Sequence, residues 1–116
     1  MSLYELTFIL RQDIATVEIK KVTDKIRQLI EEHGGNVLKE EYWGLRTLAY
    51  PIKKSRKGHY IMLVFELSGE KAILELRRNI MLSEDIIRDL IREIKSFDGK
   101  DSIMLSQPQP RETDEI

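Results

Sequence analysis

The hydrophobic pattern changes period several times along the chain, and the order of those changes restricts the fold more than any other feature. Leu3–Leu10 is an apolar run with β-branched and aromatic residues, interrupted by Glu5, and it predicts a strand. From about Thr16 to His33 the period lengthens. Ile19, Val22, Ile26, Leu29, Ile30 and His33 recur three or four apart and so share one helical face, while Lys20, Asp24, Lys25, Arg27, Gln28 and Glu31 cover the other. Asp13 or Thr16 is placed to cap this helix. Gly34-Gly35 stops it, because glycine enters the left-handed conformation without a Cβ clash.

Asn36–Tyr50 returns to an extended pattern, with Val37, Lys39, Glu41 and Trp43 alternating with Leu38, Glu40 and Tyr42. Gly44 breaks that alternation and marks a bulge. Pro51 has no N–H to give a ladder, which puts it near the strand's end or on a free edge. Lys53–Gly58 is polar, basic and closed by glycine, as in a hairpin loop. His59–Leu67 is a second, very apolar strand. A second helix follows Ser68-Gly69, burying Ala72, Ile73, Leu76 and Ile80 and ending near Ile80 or Leu82. Ser83-Glu84-Asp85 is a turn.

Ile86–Lys95 reads two ways. Ile86, Leu90 and Ile94 are four apart, as are Ile87 and Ile91, so periodicity alone favours a helix. Topology favours a strand. With a strand here the order is β-α-β-β-α-β, an α+β ferredoxin-like arrangement: a four-stranded antiparallel sheet with two helices on one face. In that arrangement the first and third strands are central, and LYELTFIL and HYIMLVFEL are the two most apolar candidates. The edge positions fall to segments carrying KEE and RDLIRE, and edges tolerate charge. A three-stranded sheet with three helices is the competing architecture.

A chain of 116 residues, 41% hydrophobic, has material for one modest core. The expected division is a domain over residues 1–97 and an acidic, flexible tail over residues 98–116. The absence of cysteine removes disulfides, thiolate metal sites and cysteine catalysis. MSLYELTFIL lacks the basic start and cleavage site of a signal peptide. No apolar run approaches the roughly 20 residues that span a bilayer.

The net charge of −1 is low for a nucleic-acid binder, but the charge is segregated. From Asp98 on, five acids face two basic residues, leaving that segment at −3 and the first 97 residues at +2. Arg46, Lys53, Lys54, Arg56 and Lys57 fall within one stretch that holds no acid. With Trp43, Tyr50 and Pro51 they form a basic, aromatic strand-and-loop unit. Arginine offers a planar donor fork to phosphate, and lysines add salt-sensitive attraction. The plainer reading is a soluble edge that blocks sheet-to-sheet association. His33 and His59 have no nucleophile or metal-ligand spacing around them and read as structural or exposed. Gly34-Gly35 follows a helix, the reverse of a phosphate loop. The acid pairs Glu31-Glu32, Glu40-Glu41 and Glu84-Asp85 are weak cation candidates.

The run Trp43-Gly44-Leu45-Arg46-Thr47-Leu48-Ala49-Tyr50-Pro51-Ile52-Lys53-Lys54 resembles the signature of the bacterial small-subunit ribosomal protein S six family. Tyr4-Glu5, Gly58-His59-Tyr60, Phe65-Glu66 and Leu82–Arg88 match further parts of that family in the same order. The resemblance implies the ferredoxin-like fold, with Ile86–Ile94 as a strand. It implies a non-enzymatic, cytoplasmic protein of the ribosome that binds small-subunit (16S) rRNA as a heterodimer with ribosomal protein S eighteen. No cofactor, metal, membrane or small-molecule substrate goes with it. By position Arg46 and Lys54 match basic places of the family's motif, and with Lys53, Arg56 and Lys57 of the same basic stretch they are the expected RNA contacts. Tyr50 and Pro51 are implied to shape the strand and partner surface, to which Trp43, Arg88 and Arg92 are added as expected members. Ser2 stands where many members carry a basic residue, and the tail ends Glu112-Thr113-Asp114-Glu115-Ile116 rather than in a glutamate run. An enzyme handling acyl phosphate on the same fold would need a glycine-bearing anion loop, which Arg11-Gln12-Asp13 lacks. A stand-alone single-stranded nucleic-acid binder is the third reading.

Overall fold

The structure, a computed structural model, describes residues 1–52, 55–97 and 99. Lys53, Lys54 and nearly all of the expected tail therefore lie outside the described residues. The elements are β1 (Ser2–Arg11), α1 (Thr16–Glu32), β2 (Asn36–Ile52), β3 (Ser55–Leu67), α2 (Glu70–Leu82) and β4 (Ile86–Ile94). Their sheet order is β2-β3-β1-β4, with every pairing antiparallel. The two most apolar strands are thus the central ones, and the ferredoxin-like arrangement holds.

Alternation along the strands sorts the side chains into two layers. Leu6, Phe8 and Leu10 of β1 lie with Ile61, Leu63, Phe65 and Leu67 of β3, and Ile26, Ile30, Leu76 and Ile80 of the two helices close over them. Both helices therefore pack on the same face. Fully burying each such side chain contributes roughly 1.5–3 kcal/mol. The opposite face of the sheet carries no helix. There Ile9, Leu48, Tyr60 and Ile87 form a second, smaller apolar cluster, flanked by Trp43 and Ile52.

Local chemistry sets the ends of the elements. Gly34 has φ of 81° and donates to the Glu31 carbonyl at 3.0 Å, while Gly35 donates to that of Ile30 at 2.8 Å. This is the glycine-dependent stop read from the sequence. The expected cap at the other end of α1 is absent: Ala15 occupies that position and no side chain caps the helix. Asp13 is held instead by Arg11, through a 2.9 Å bond from Nη1. The hairpin loop expected over Lys53–Gly58 is shorter than its composition suggests, because β3 already begins at Ser55. The bulge at Gly44 is present, with a register shift between Tyr42 and Gly44 and φ of 94°. Ile86–Ile94 is a strand because β1 offers it an edge to pair with, from Leu3 opposite Ile94 to Leu10 opposite Ile86. Tertiary pairing overrides the helical spacing.

Candidate partner and nucleic-acid interface

The helix-free face of the sheet gathers most of the candidate residues that the structure describes. Tyr50 arrives there through a large irregularity in β2. Thr47 pairs with Lys57 and Ile52 with Ser55, so β2 advances five residues while β3 advances two. The surplus chain cannot stay in the ladder. It folds inward, which puts Leu48 on Ile9, Tyr60 and Ile87 and carries Tyr50 toward β4. Arg88 Nη1 donates to the Tyr50 hydroxyl at 3.2 Å. Under this crossing lies a groove of about 300 Å³ between Ile9, Trp43, Leu48, Tyr60 and Leu90. Leu90 is 64% exposed at its rim.

Trp43 is half-buried beside the groove. Its indole N–H donates to Glu41 Oε1 at 2.8 Å, and its carbonyl accepts from Arg46 Nε at 2.9 Å. Glu41 and Arg46 are only 2% and 3% exposed. Neither fits its sequence-based expectation. Glu41 is not a solvated edge charge, and Arg46, expected at RNA, is covered by protein and shapes the bend after Gly44. A side chain so enclosed positions the strand and does not reach a phosphate without rearrangement. Composition gave no sign of this. Arg46 pairs opposite Gly58, so no cross-strand side chain competes for the space over that position.

Arg56 is exposed, and Lys57 is half-buried. Gln12, at the β1–α1 turn, fixes the backbone beneath them: its Oε1 accepts from Arg56 N at 2.9 Å and Lys57 N at 3.0 Å. The cationic end of the β2–β3 hairpin is thus tied to the body of the protein. Arg88 and Arg92 are exposed on the outer strand β4. Arg92 engages Glu5 through Nε at 3.1 Å and Nη2 at 3.0 Å. Burial pushes the Tyr60 phenol above its ordinary pKa, with Arg88 and Arg46 pulling the other way, so it stays neutral at physiological pH. The side chain of Pro51 and the whole of Lys53 and Lys54 fall outside the described set.

The other candidates are drawn into the frame. His33 Nδ1 lies 2.8 Å from the Leu29 carbonyl. His59 stacks on Tyr42, with Nδ1 2.8 Å from its hydroxyl and Nε2 3.3 Å from the Gln12 carbonyl. Arg11 is bonded to both Asp85, at 2.8 Å, and Asp13, so it is not aimed at an outside anion. Among the described residues, no group of three or more His, Cys, Asp or Glu side chains is placed to hold a metal. No described helix is long and apolar enough to cross a membrane.

Comparison with known proteins gives one consistent answer. The family model described as Ribosomal protein S6 matches residues 3–92. The small ribosomal subunit protein bS6 of Paramagnetospirillum magneticum is 41% identical over 105 residues, covering 90% of this chain and 72% of the relative. Its counterpart from Rickettsia conorii is 40% identical over 113 residues, covering 97% of this chain and 93% of the relative. Among solved structures, 30S ribosomal protein S6 from Thermotoga maritima superposes with a TM-score of 0.76 at 29% identity, over 80% of this chain and 87% of that one.

Proposed function

Because the chain belongs to the ribosomal protein S6 family of the small ribosomal subunit, we propose that it binds small-subunit rRNA as a heterodimer with ribosomal protein S eighteen, in the cytoplasm, and performs no chemistry. The observation that supports this best is an apolar groove on the uncovered sheet face together with exposed Arg56 at the adjoining end of the β2–β3 hairpin. The two features divide the work. Arg56 and Lys57, with Lys53 and Lys54 beside them in sequence, supply charge for phosphate, which is the salt-sensitive part of RNA affinity. Trp43, Tyr50 and Arg88 line the groove that a protein neighbour would cover, Arg92 stands further along β4, and Pro51 follows Tyr50 in sequence. Aromatic and arginine side chains around a small apolar centre are the usual make-up of such contacts.

The near-zero net charge fits a protein that shares the phosphate contacts with a partner instead of carrying them alone. On this reading residues 1–97 are the binding domain, and residues 98–116 are an acidic extension that would be repelled by RNA. An anion-handling enzyme is less well supported, because Arg11 is already matched by two carboxylates. The reading is tested by expressing the tagged protein in bacteria and sedimenting the ribosomal subunits. Co-migration with the small subunit is expected, and migration only as free protein would reject it.

A further inference from the structure

Tyr50 and Arg88 belong to β2 and β4, the two outermost strands of the sheet. Strands lie about 4.8 Å apart, so three spacings put those edges roughly 14 Å from one another. The contact closes only because Leu48–Tyr50 leave the edge and turn over the open face. Both ends of this crossing are anchored, at Thr47 opposite Lys57 and at Ile52 opposite Ser55. Its tip is held by a hydrogen bond between an exposed guanidinium and a Tyr50 ring that is 59% exposed. Such a bond contributes little net stability at a wet surface.

We propose that Leu48–Tyr50 form a strap that swings off the open face to let an apolar side chain of a protein partner settle on Ile9 and Tyr60. This strap presupposes the protein partner proposed above and describes how that partner enters. The groove already present beneath the crossing is lined mainly by apolar side chains, Ile9, Leu48, Ile52 and Leu90 with the rings of Trp43 and Tyr60, and has Thr7, Arg88 and Asp89 among its polar members, so its centre suits an aliphatic or aromatic side chain. Release of Tyr50 frees Arg88, which then has a guanidinium fork for a carboxylate next to that side chain on the partner. The occupant is therefore an apolar residue of a protein segment that carries an adjacent acid.

The chain has no cysteine and one tryptophan, which gives two clean probes. Ile9→Cys places a single thiol under the strap, and its labelling rate with a small maleimide reports opening. Adding Tyr50→Phe, which removes only the hydroxyl, is expected to raise that rate about fivefold. In protein carrying Tyr50→Phe alone, acrylamide quenching of Trp43 is expected to rise about twofold, which covers the case in which Ile9→Cys folds poorly. Unchanged labelling and quenching would overturn the strap. Association of ribosomal protein S eighteen with the Tyr50→Phe protein is expected to be severalfold faster than with the unsubstituted protein. Faster labelling with unchanged association would overturn the entry route. Labelling and quenching need no partner. Failure of the unsubstituted protein to bind would thus reject the partner reading, while the strap still stands or falls on the two probes.

Discussion

Arg46 donates through Nε to the carbonyl oxygen of Trp43 at 2.9 Å, and the two residues flank the bulge at Gly44 in β2. The side chain is almost wholly enclosed, so removing it uncovers a backbone acceptor and empties space beside Trp43. Arg46→Ala is expected to destabilise the protein by about 2–3 kcal/mol. Arg56→Ala, at an exposed position, is expected to cost under about 0.5 kcal/mol. Urea denaturation of the two variants makes the comparison. Equal midpoints would mean that Arg46 plays no part in holding the bulge.

Gly35 gives a sharper steric test. A Cβ there would stand 2.5 Å from the backbone carbonyl of Glu66 and 2.8 Å from side-chain atoms of Ile30 and Leu67. A backbone oxygen in a central strand cannot move aside, so Gly35→Ala is expected to cost about 2–3 kcal/mol. Gly34 has open space around it, and Gly34→Ala is expected to cost only the left-handed backbone strain, about 1–2 kcal/mol. Thermal unfolding should rank the two in that order.

Much of the architecture was legible in the sequence. The two helical stripes, the glycine stop of α1 and the central places of the apolar strands all follow from period and composition. Ile86–Ile94 shows where local pattern fails: its four-residue spacing is genuine, but pairing with β1 decides its form. The site was less legible for a related reason. A count of basic residues between Arg46 and Lys57 says nothing of which face each one takes. The shift at Gly44 precedes Arg46, which ends up inside, and the bulge after Thr47 carries Tyr50 across the sheet. Gln12, which anchors the hairpin end, carried no signal at all, since its partners lie more than forty residues away.

Charge at the hairpin end should be visible in salt dependence. Neutralising one phosphate fewer lowers the slope of log affinity against log salt by about 0.7–0.9. Arg56→Gln and Lys57→Gln are each expected to flatten the slope for rRNA by about that amount, and the double variant by about twice as much. Titrations over roughly 50 to 300 mM potassium chloride measure it. Parallel lines for all variants would remove these residues from the RNA surface.

The Arg11 guanidinium, by hydrogen bonding, holds the Asp13 carboxyl below its ordinary pKa. A carboxylate lowered in the folded state adds stability above its unfolded pKa. That contribution is lost as pH falls through the folded value. Arg11→Ala should therefore raise the Asp13 pKa toward the ordinary range. It should also remove this part of the acid dependence. Carboxyl chemical shifts followed by NMR from about pH 2 to 6 read the change, and an unmoved Asp13 titration would show that the pair does not form in solution.

On the proposed function, recognition on this face is shared: a protein neighbour docks there, and the pair together binds RNA. The most direct measurement is the affinity of the purified protein for a central-domain fragment of small-subunit rRNA, taken at one fixed salt concentration with and without ribosomal protein S eighteen. Weak binding is expected for the protein alone, with a gain of at least about a hundredfold when the partner is present, equivalent to roughly 2.7 kcal/mol of coupling. Equal affinity in both conditions, or tight binding by the isolated chain, would contradict it.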